Sequence, residues 1–178
     1  ELWEYRELLY FLAWREVKVR YKQTVLGVAW AVIQPVLSMV VFSIVFGRLA
    51  GLASDGVPYP VFTFCALLPW QLFSVSLTQT SNSVVSNQAL ITKVYFPRVM
   101  VPMASVGVGV VDFTAAFFVL LILMAYYGLV PGLAALSVPF WALVAVLTAL
   151  GVGLWLSALN AKYRDIRYAV PFLSQLWL

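Results

Sequence analysis

Long apolar runs alternate with short polar segments along this chain. Four runs consist almost entirely of apolar residues: 25–46, 61–81, 99–127 and 138–159. An α-helix needs about 20 predominantly apolar residues to cross the hydrocarbon layer of a bilayer, so each run is long enough. A further apolar run begins at 169 and reaches Leu178, too few residues to cross. The pattern predicts an all-α polytopic membrane protein with four complete transmembrane helices and the start of a fifth.

The second half of the second run is unusually polar for a helix that faces lipid. Its polar positions are Gln71, Ser74, Ser76, Thr78, Gln79 and Thr80. Unsatisfied polar groups are costly in hydrocarbon. We therefore expect neighbouring helices or a water-filled cavity on this side of the second span.

Helix shape and packing leave further traces in the spans. Pro35 lies near the middle of the first run and predicts a kink. Ser105 and Gly109 share one helix face, as do Ala149 and Gly153. This spacing of small residues lets helices approach closely in membranes, although it also arises by chance in a chain rich in Ala and Gly.

The segment before the first run, residues 2–22, has the pattern of an amphipathic helix. Tyr5, Leu8, Leu9 and Leu12 recur at helical spacing, and Val19 continues their stripe. The cations of its second half are Arg15, Lys18, Arg20 and Lys22. We interpret this segment as an interfacial helix whose cations face anionic lipid. The alternative is an ordinary solvated face that precedes a span.

Composition supports the membrane class. Of the 178 residues, 63% are hydrophobic and 10% are charged, against about 25% charged in a soluble domain. The net charge of +4 does not indicate nucleic acid, because the cations stand in short clusters between apolar runs. The chain has no histidine, and we expect its single cysteine, Cys65, to be a small core residue. These features predict no disulfide and no metal site.

Lysine and arginine are distributed unequally between the two sides of the predicted spans. One side carries only Arg48. The other carries Arg6, Arg15, Lys18, Arg20, Lys22, Lys93, Arg98, Lys162, Arg164 and Arg167. Because cytoplasmic loops hold the excess of such residues, this asymmetry predicts a cytoplasmic amino terminus.

Little catalytic chemistry is available. The spans hold one acid, Asp112, with no lysine or arginine expected at a similar depth. We expect Asp112 to bond neighbouring Ser or Thr groups or to line a wet cavity; the alternative is a proton relay. No Gly-rich phosphate loop with a following Lys-Ser or Lys-Thr occurs, so the chain is not expected to be an enzyme or to bind ATP in that way.

Three segments on the predicted cytoplasmic side carry a family resemblance. The first runs from Arg20-Tyr21-Lys22 through Leu26-Gly27 and Trp30 to Gln34-Pro35. The second is residues 87–98, ending Val94-Tyr95-Phe96-Pro97-Arg98 and followed by Pro102, and the third is residues 160–167. In their order and spacing around the spans, they resemble the type-2 ABC exporter permeases that move polysaccharides and polyol phosphates out of bacteria, such as O-antigen, teichoic acid or capsule.

The resemblance implies an assembly in the bacterial plasma membrane. Two permease copies would form a channel, and each would dock a separate ATPase subunit that binds ATP and Mg; this chain itself would hold no cofactor. The expected partners are that ATPase, a second copy, membrane lipids and a glycan or lipid-linked glycan, with no nucleic acid. Full family members have six spans, so the chain is expected to be a fragment.

The resemblance also assigns roles to the cytoplasmic segments. Residues 2–22 would be the interfacial helix, residues 82–98 a gate or coupling segment, and residues 160–168 a second coupling loop. The residues implied are Asn87, Lys93, Tyr95, Pro97, Arg98, Lys162, Arg164, Asp165 and Arg167. We expect Asp165 to hold its loop in shape through ion pairs with Arg164 and Arg167.

A saccharide path should combine aromatic faces with hydrogen-bonding groups. The aromatic candidates for pore lining are Trp30, Phe42, Phe62, Trp70, Phe73 and Phe113. Most aromatics in such a protein are packing or lipid-belt residues, which is the alternative for each of the six.

Three other functions compete with this interpretation. An ABC exporter of lipid, drug or peptide has the same architecture. An ion-coupled secondary transporter would use Asp112. Replacing Asp112 with Asn would abolish transport if the chain is such a transporter, and would leave export mostly intact if it is an ATP-driven exporter. A membrane scaffold explains the spans but neither the polar half of the second helix nor the three matched segments.

Overall fold

The computed structural model describes residues 5–22, 27, 29–49, 51, 54 and 56–177, and it is helical throughout these ranges apart from turns and connections. The helices are α1 Arg6–Lys22, α2 Ala29–Phe42, α3 Tyr59–Ser86, α4 Gln88–Lys93, α5 Met100–Tyr126, α6 Val138–Lys162 and α7 Ile166–Leu176. A π-helical segment, Ser43–Leu49, continues α2, and a 3-10 turn, Leu133–Ser137, precedes α6.

Four spans are found among the described residues, as the apolar runs predict. The helices long and apolar enough to cross a membrane are Ala29–Leu49, Tyr59–Ser86, Met100–Tyr126 and Leu133–Lys162. Val25 and Leu26, where the first run begins, lie outside the described residues. The second span is longer than the apolar run, because its helix continues through residues 82–86 before the turn at Asn87. The all-α polytopic fold is therefore confirmed.

Helix α3 is the centre of the bundle and packs against α2, α5, α6 and α7. An apolar cluster joins α3 to α5 through Phe64, Leu68, Ala116 and Leu120. A second cluster, built on Leu77, Ala149 and Val170, joins α3 to α6 and α7. Every span thus touches α3, which places the residues of α3 at the helix–helix interfaces.

Small residues allow the two closest approaches to α3. A Cβ added at Gly153 of α6 would lie 2.6 Å from Thr80 Cγ2 and 2.7 Å from Thr80 Cβ. A Cβ added at Gly109 of α5 would collide with the Ser76 hydroxyl. Both glycines belong to the small-residue pairs noted in the sequence, and Ser105 and Ala149 are buried beside them. The close packing predicted from that spacing is confirmed.

The polar half of α3 is accounted for in two ways. Ser76 is buried against Gly109 of α5 and Thr80 against Gly153 of α6, and the backbone carbonyl of buried Ser81 accepts a hydrogen bond from Asn160 of α6. Gln71, Ser74 and Thr78 line a cavity. Both outcomes that the sequence predicts, helix neighbours and a cavity, occur on one helix.

Asn160 fastens the end of α6 to α3. Its side chain is 1% exposed, and Nδ2 donates to Ser81 O and to Asn82 Oδ1, both at 3.0 Å. Interhelical hydrogen bonds of this kind stabilise membrane bundles by about 0.6 kcal/mol on average, with a maximum near 1.7. They also place the end of the fourth span beside the end of the second.

Replacing Asn160 with Ala is expected to lower the free energy of unfolding by about 1 kcal/mol, because Ser81 O and Asn82 Oδ1 lose their shared donor. Titration of the purified full-length protein with SDS in mixed micelles measures this change. Thr148→Ala on the exposed side of α6 is the matched control, since the Thr148 hydroxyl bonds only carbonyls of its own helix. Equal stability of the two variants would contradict a clamping role for Asn160.

Cys65 and Pro35, two residues singled out in the sequence, have different outcomes in the structure. Cys65 is exposed on the outer side of α3, so the prediction that it is a core residue is wrong. The reason is its position on the helix, since the neighbouring Phe64 and Leu67 take the inward positions. Pro35 does lie inside α2 and is buried, and the π-helical turns that follow it widen the end of this span.

Candidate functional site

A polar cavity of about 320 Å³ lies between α2, α3, α5 and α7. It is lined by amide, hydroxyl and carboxylate side chains together with two tryptophans. Its polar and aromatic lining residues are Trp30, Gln34, Ser38, Trp70, Gln71, Ser74, Thr78, Asp112, Ser174 and Gln175. Gln34 and Gln175 are exposed, so the cavity opens at the surface of the protomer beside α2 and α7.

Helical spacing explains why these side chains meet. Gln71, Ser74 and Thr78 stand at intervals of three and four residues, which places them on one face of α3. Gln34 and Ser38 are likewise one turn apart on α2. Amides and hydroxyls both donate and accept hydrogen bonds, so this surface suits a neutral, hydroxyl-rich ligand or a file of water molecules.

The cavity chemistry does not suit a metal ion. Among the described residues, no three His, Cys, Asp or Glu side chains come together in a group that could hold one. Asp112 is the carboxylate of the cavity lining, and both its oxygens already accept hydrogen bonds, one from Arg20 and one from Tyr21.

An aromatic groove of about 330 Å³ adjoins the polar cavity. It lies between the end of α2, the beginning of α3 and the end of α7. Its aromatic lining residues are Phe42, Phe46, Tyr59, Phe62, Trp70 and Trp177. Leu67 and Trp70 line both spaces, so the two form a continuous track along α3 that is polar in one half and aromatic in the other.

The six aromatic candidates fall into four places. Trp30 and Trp70 line the polar cavity, and Phe42 and Phe62 line the aromatic groove together with Trp70. Phe73 packs against the core cluster of Leu77, Ala149 and Val170. Phe113 packs against the cluster between α3 and α5 and faces a separate apolar pocket beside α6.

Asp112 has a cationic partner, and the expectation that it has none is wrong. Arg20 Nη2 lies 3.0 Å from Asp112 Oδ2, and the Tyr21 hydroxyl donates to Asp112 Oδ1. The side chain of Asp112 is 14% exposed and that of Arg20 is 34% exposed. Arg20 was assigned to the interfacial helix, but α1 runs along the first part of α5 and brings its last turn to this carboxylate.

Burial raises the pKa of the Tyr21 phenol above its ordinary value, and the hydrogen bond to Asp112 and the negative charge of Asp112 raise it further. The phenol therefore stays protonated and keeps donating to the carboxylate at physiological pH. Asp112 is thus bonded by Arg20 and Tyr21 rather than by the Ser or Thr groups expected from the sequence.

A second polar cluster joins α1 to the turn between α3 and α4. Arg15 Nη2 donates to Glu16 Oε1 at 2.8 Å and also to Asn87 Oδ1. Asn87 Nδ2 donates to Glu16 Oε1 at 3.2 Å and to Ser83 O at 3.0 Å. Asn87, assigned to the gate segment, is therefore buried and bonded to the amphipathic helix.

The apolar stripe of α1 is buried in part against the protein. Leu12 forms a cluster with Phe96, Met100, Val101 and Ala104, and Tyr5, Leu8 and Leu9 pack against it. Val19, which the sequence placed on the same stripe, is exposed. The opposite face of α1 carries exposed aromatics beside cations, with Lys18 Nζ lying 5.3 Å from the Trp14 ring centroid and Lys22 on the same side.

The two loops assigned to coupling are exposed and cationic. In the first, Tyr95 is 98% exposed between exposed Lys93 and Arg98, while Pro97 is half-buried beside the anchoring Phe96. In the second, the exposed charged residues are Lys162, Arg164, Asp165 and Arg167. Each loop thus exposes cations and at least one tyrosine.

The ion pairs predicted for Asp165 do not form among the described residues. Its side chain lies beyond ion-pair distance of both Arg164 and Arg167. Its backbone carbonyl instead accepts hydrogen bonds from Tyr168 N and Ala169 N and begins α7. In a fully exposed loop an ion pair adds little, so helix initiation shapes the segment.

Comparison with known proteins gives a consistent set of relatives. A model of the ABC-2 type transporter family matches residues 7–178. The chain is 32% identical over 178 residues to the O-antigen export system permease protein RfbA of Myxococcus xanthus and covers 67% of that protein. It is 30% identical over 161 residues to the protein of the same name in Klebsiella pneumoniae and covers 61% of it. It is 20% identical to the polysialic acid transport protein KpsM of Escherichia coli over 163 residues, 62% of that protein.

Proposed function

Because the chain belongs to the ABC-2 type transporter family, we propose that it is the permease subunit of an ATP-driven exporter for polysaccharide or lipid-linked glycan. The observation that carries the substrate class is the track along α3, polar in one half and aromatic in the other. The names of the relatives, which concern O-antigen and polysialic acid, support the same class.

The track has the chemistry that a sugar chain requires. Pyranose rings present apolar CH faces and polar hydroxyls, so they bind to aromatic rings and to groups that both donate and accept hydrogen bonds. Gln71 and Ser74 supply such groups beside Trp70. An exporter of lipid or drug is the second candidate, favoured by the apolar pocket of about 540 Å³ between α5 and α6. That pocket lacks the amides, so the glycan is the better fit.

The energy source in this proposal is a separate ATPase on the cytoplasmic face of the bacterial plasma membrane. Three cationic segments lie at one end of the bundle: α1, residues 82–98 and residues 160–168. Phe96 of the second segment packs against Leu12 of α1. Asn160, at the start of the third, bonds the end of α3, where the second segment begins. By the positive-inside rule this end is cytoplasmic, and the amino terminus is on the same side. ATP and Mg would be bound by the partner.

A second permease copy completes the pathway in this proposal. The polar cavity opens beside α2 and α7, so a twofold-related protomer there would close it into a channel. The chain spans about two thirds of the length of the Myxococcus relative and less of the others. The remaining spans would come from the rest of the full-length protein. Membrane lipids would contact the exposed aromatic face of α1.

Reversing the charge of both Arg98 and Arg164 to Glu is expected to abolish association with the ATPase. Each lies on an exposed cationic loop, and unlike charges at an interface set both orientation and association rate. The measurement is co-purification of the ATPase with the full-length protein in detergent, together with ATP turnover. Loss of at least 90% of the bound ATPase, which requires at least about a tenfold drop in affinity, is the expected result.

Arg48→Glu is the matched control, because Arg48 ends the π-helical segment at the opposite end of the first span. It should retain the ATPase. Absence of any ATPase from the unaltered protein would overturn the proposal and favour a secondary transporter centred on Asp112.

A further inference from the structure

Polar contacts tie α1 to the rest of the protein at two separate points. Near its middle, Arg15 and Glu16 bond Asn87 at the turn between α3 and α4. At its last turn, Arg20 and Tyr21 bond Asp112 halfway along α5. These two groups of contacts, the junction cluster at Asn87 and the clasp at Asp112, belong to none of the exposed surfaces described for partners.

The clasp stands where the first span begins. Helix α1 ends at Lys22 and α2 begins at Ala29, so the residues that grip Asp112 come just before the connection to the first span. Asp112 and Trp30 both line the polar cavity. Fixing Arg20 and Tyr21 on Asp112 therefore limits how far the start of α2 can move away from α3 and α5.

We infer that Arg20 and Asp112 are positioning residues for transport, which hold the first span against α5 at the cavity and are linked through α1 to the gate segment. The inference rests on the proposed function for its meaning in transport. Neither residue needs to touch the substrate. A shift of α4 that pulls on Asn87 would be carried by α1 to the clasp, and from there to the start of α2.

The clasp favours one position of α1 on α5. The Asp112 carboxylate is largely removed from solvent, so an unpaired charge there is costly, and Arg20 and Tyr21 together satisfy both of its oxygens. A buried pair of this kind favours one register of α1 on α5 over intermediate ones.

The test compares single replacements with a charge exchange in the full-length permease with its ATPase. Because Arg20 pairs with Asp112, Asp112→Asn and Arg20→Gln are each expected to lower glycan export about tenfold, the size of effect seen for residues in coupling networks. This replaces the expectation from the sequence that Asp112→Asn leaves ATP-driven export mostly intact. The exchange Arg20→Asp with Asp112→Arg is expected to recover part of the export. Thr114→Val, exposed on the same helix with a hydroxyl that bonds only Val110 O, is the control and should export normally.

A distance measurement separates positioning from mere stability. Spin labels at Lys22 and Phe118, both exposed, report how α1 lies on α5. The distance distribution is expected to broaden in each single variant and to narrow again in the exchange. Unchanged distributions and export in Asp112→Asn would overturn the inference, as would broadening that the exchange fails to reverse. If the unaltered protein exports no glycan but the single variants still broaden the distance distribution, the clasp is retained and the proposed function is rejected.

Discussion

Replacing Gly153 with valine is expected to separate α6 from α3 and to cause a large loss of stability. A single added carbon would already lie within 2.7 Å of two Thr80 atoms, and valine adds two more. Helix association in membranes depends on close packing of small residues, because lipid offers no hydrophobic drive between helices. Overpacking costs about 1–3 kcal/mol, and the Asn160 hydrogen bonds would be strained as well.

The measurement is SDS titration of the purified full-length protein, with folded yield from the membrane as a second readout. Gly151→Val is the matched control on the same helix, because nothing lies within 4 Å of a Cβ at Gly151. The smaller replacement Gly153→Ala should also lower the stability, and adding Thr80→Gly should restore part of that stability by removing the opposing side chain. If Gly151→Val and Gly153→Val lose equal stability, intrinsic helix propensity rather than packing explains both, and this account of the interface fails.

Filling the polar cavity with a Ser74→Trp replacement is expected to reduce export by more than tenfold while leaving the ATPase bound. Ser74 lines the cavity beside Trp70 and Gln71, and an indole occupies much of a space of about 320 Å³. It also removes hydrogen-bonding surface that a sugar would use. Blocking a path in this way lowers transport without disturbing the exposed loops at the end of the bundle.

Export of labelled glycan from vesicles, with ATP turnover measured in the same sample, tests the block. Thr148→Trp is the control, since Thr148 is exposed on α6 and away from the cavity. Loss of export with ATP turnover maintained is the expected pattern. Normal export by Ser74→Trp would show that the substrate travels elsewhere and would turn attention to the apolar pocket between α5 and α6.

The sequence was sufficient for the spans because the hydropathy of a transmembrane helix is a local property. The same is true of the closest packing contacts: Gly109 and Gly153 are recognisable from spacing within one helix. The polar cavity was foreseen in outline from the polar positions of the second span. Its other wall, formed by Gln34 and Ser38 of the first span, carried a weaker signal, two polar residues one turn apart.

The contacts that sequence reasoning missed join residues distant along the chain. Arg20 and Asp112 belong to different helices, and hydropathy places the first outside the membrane and the second inside it. Only the direction of α1 along α5 brings them together. The prediction that Cys65 is buried failed for a related reason. When a helix is apolar all round, its neighbours decide which face points outward, and composition does not specify that face.

The central place of α3 has a consequence for how the protein is made. Thr80 and Ser81 take their partners from α6, whose residues follow α3 by more than a full span in the chain. At a synthesis rate of about 5–20 residues per second, the second span leaves the ribosome several seconds before the fourth can cover its polar face. During that interval the face of α3 around Thr80 and Ser81 is without α6, so completion of the bundle waits for the fourth span.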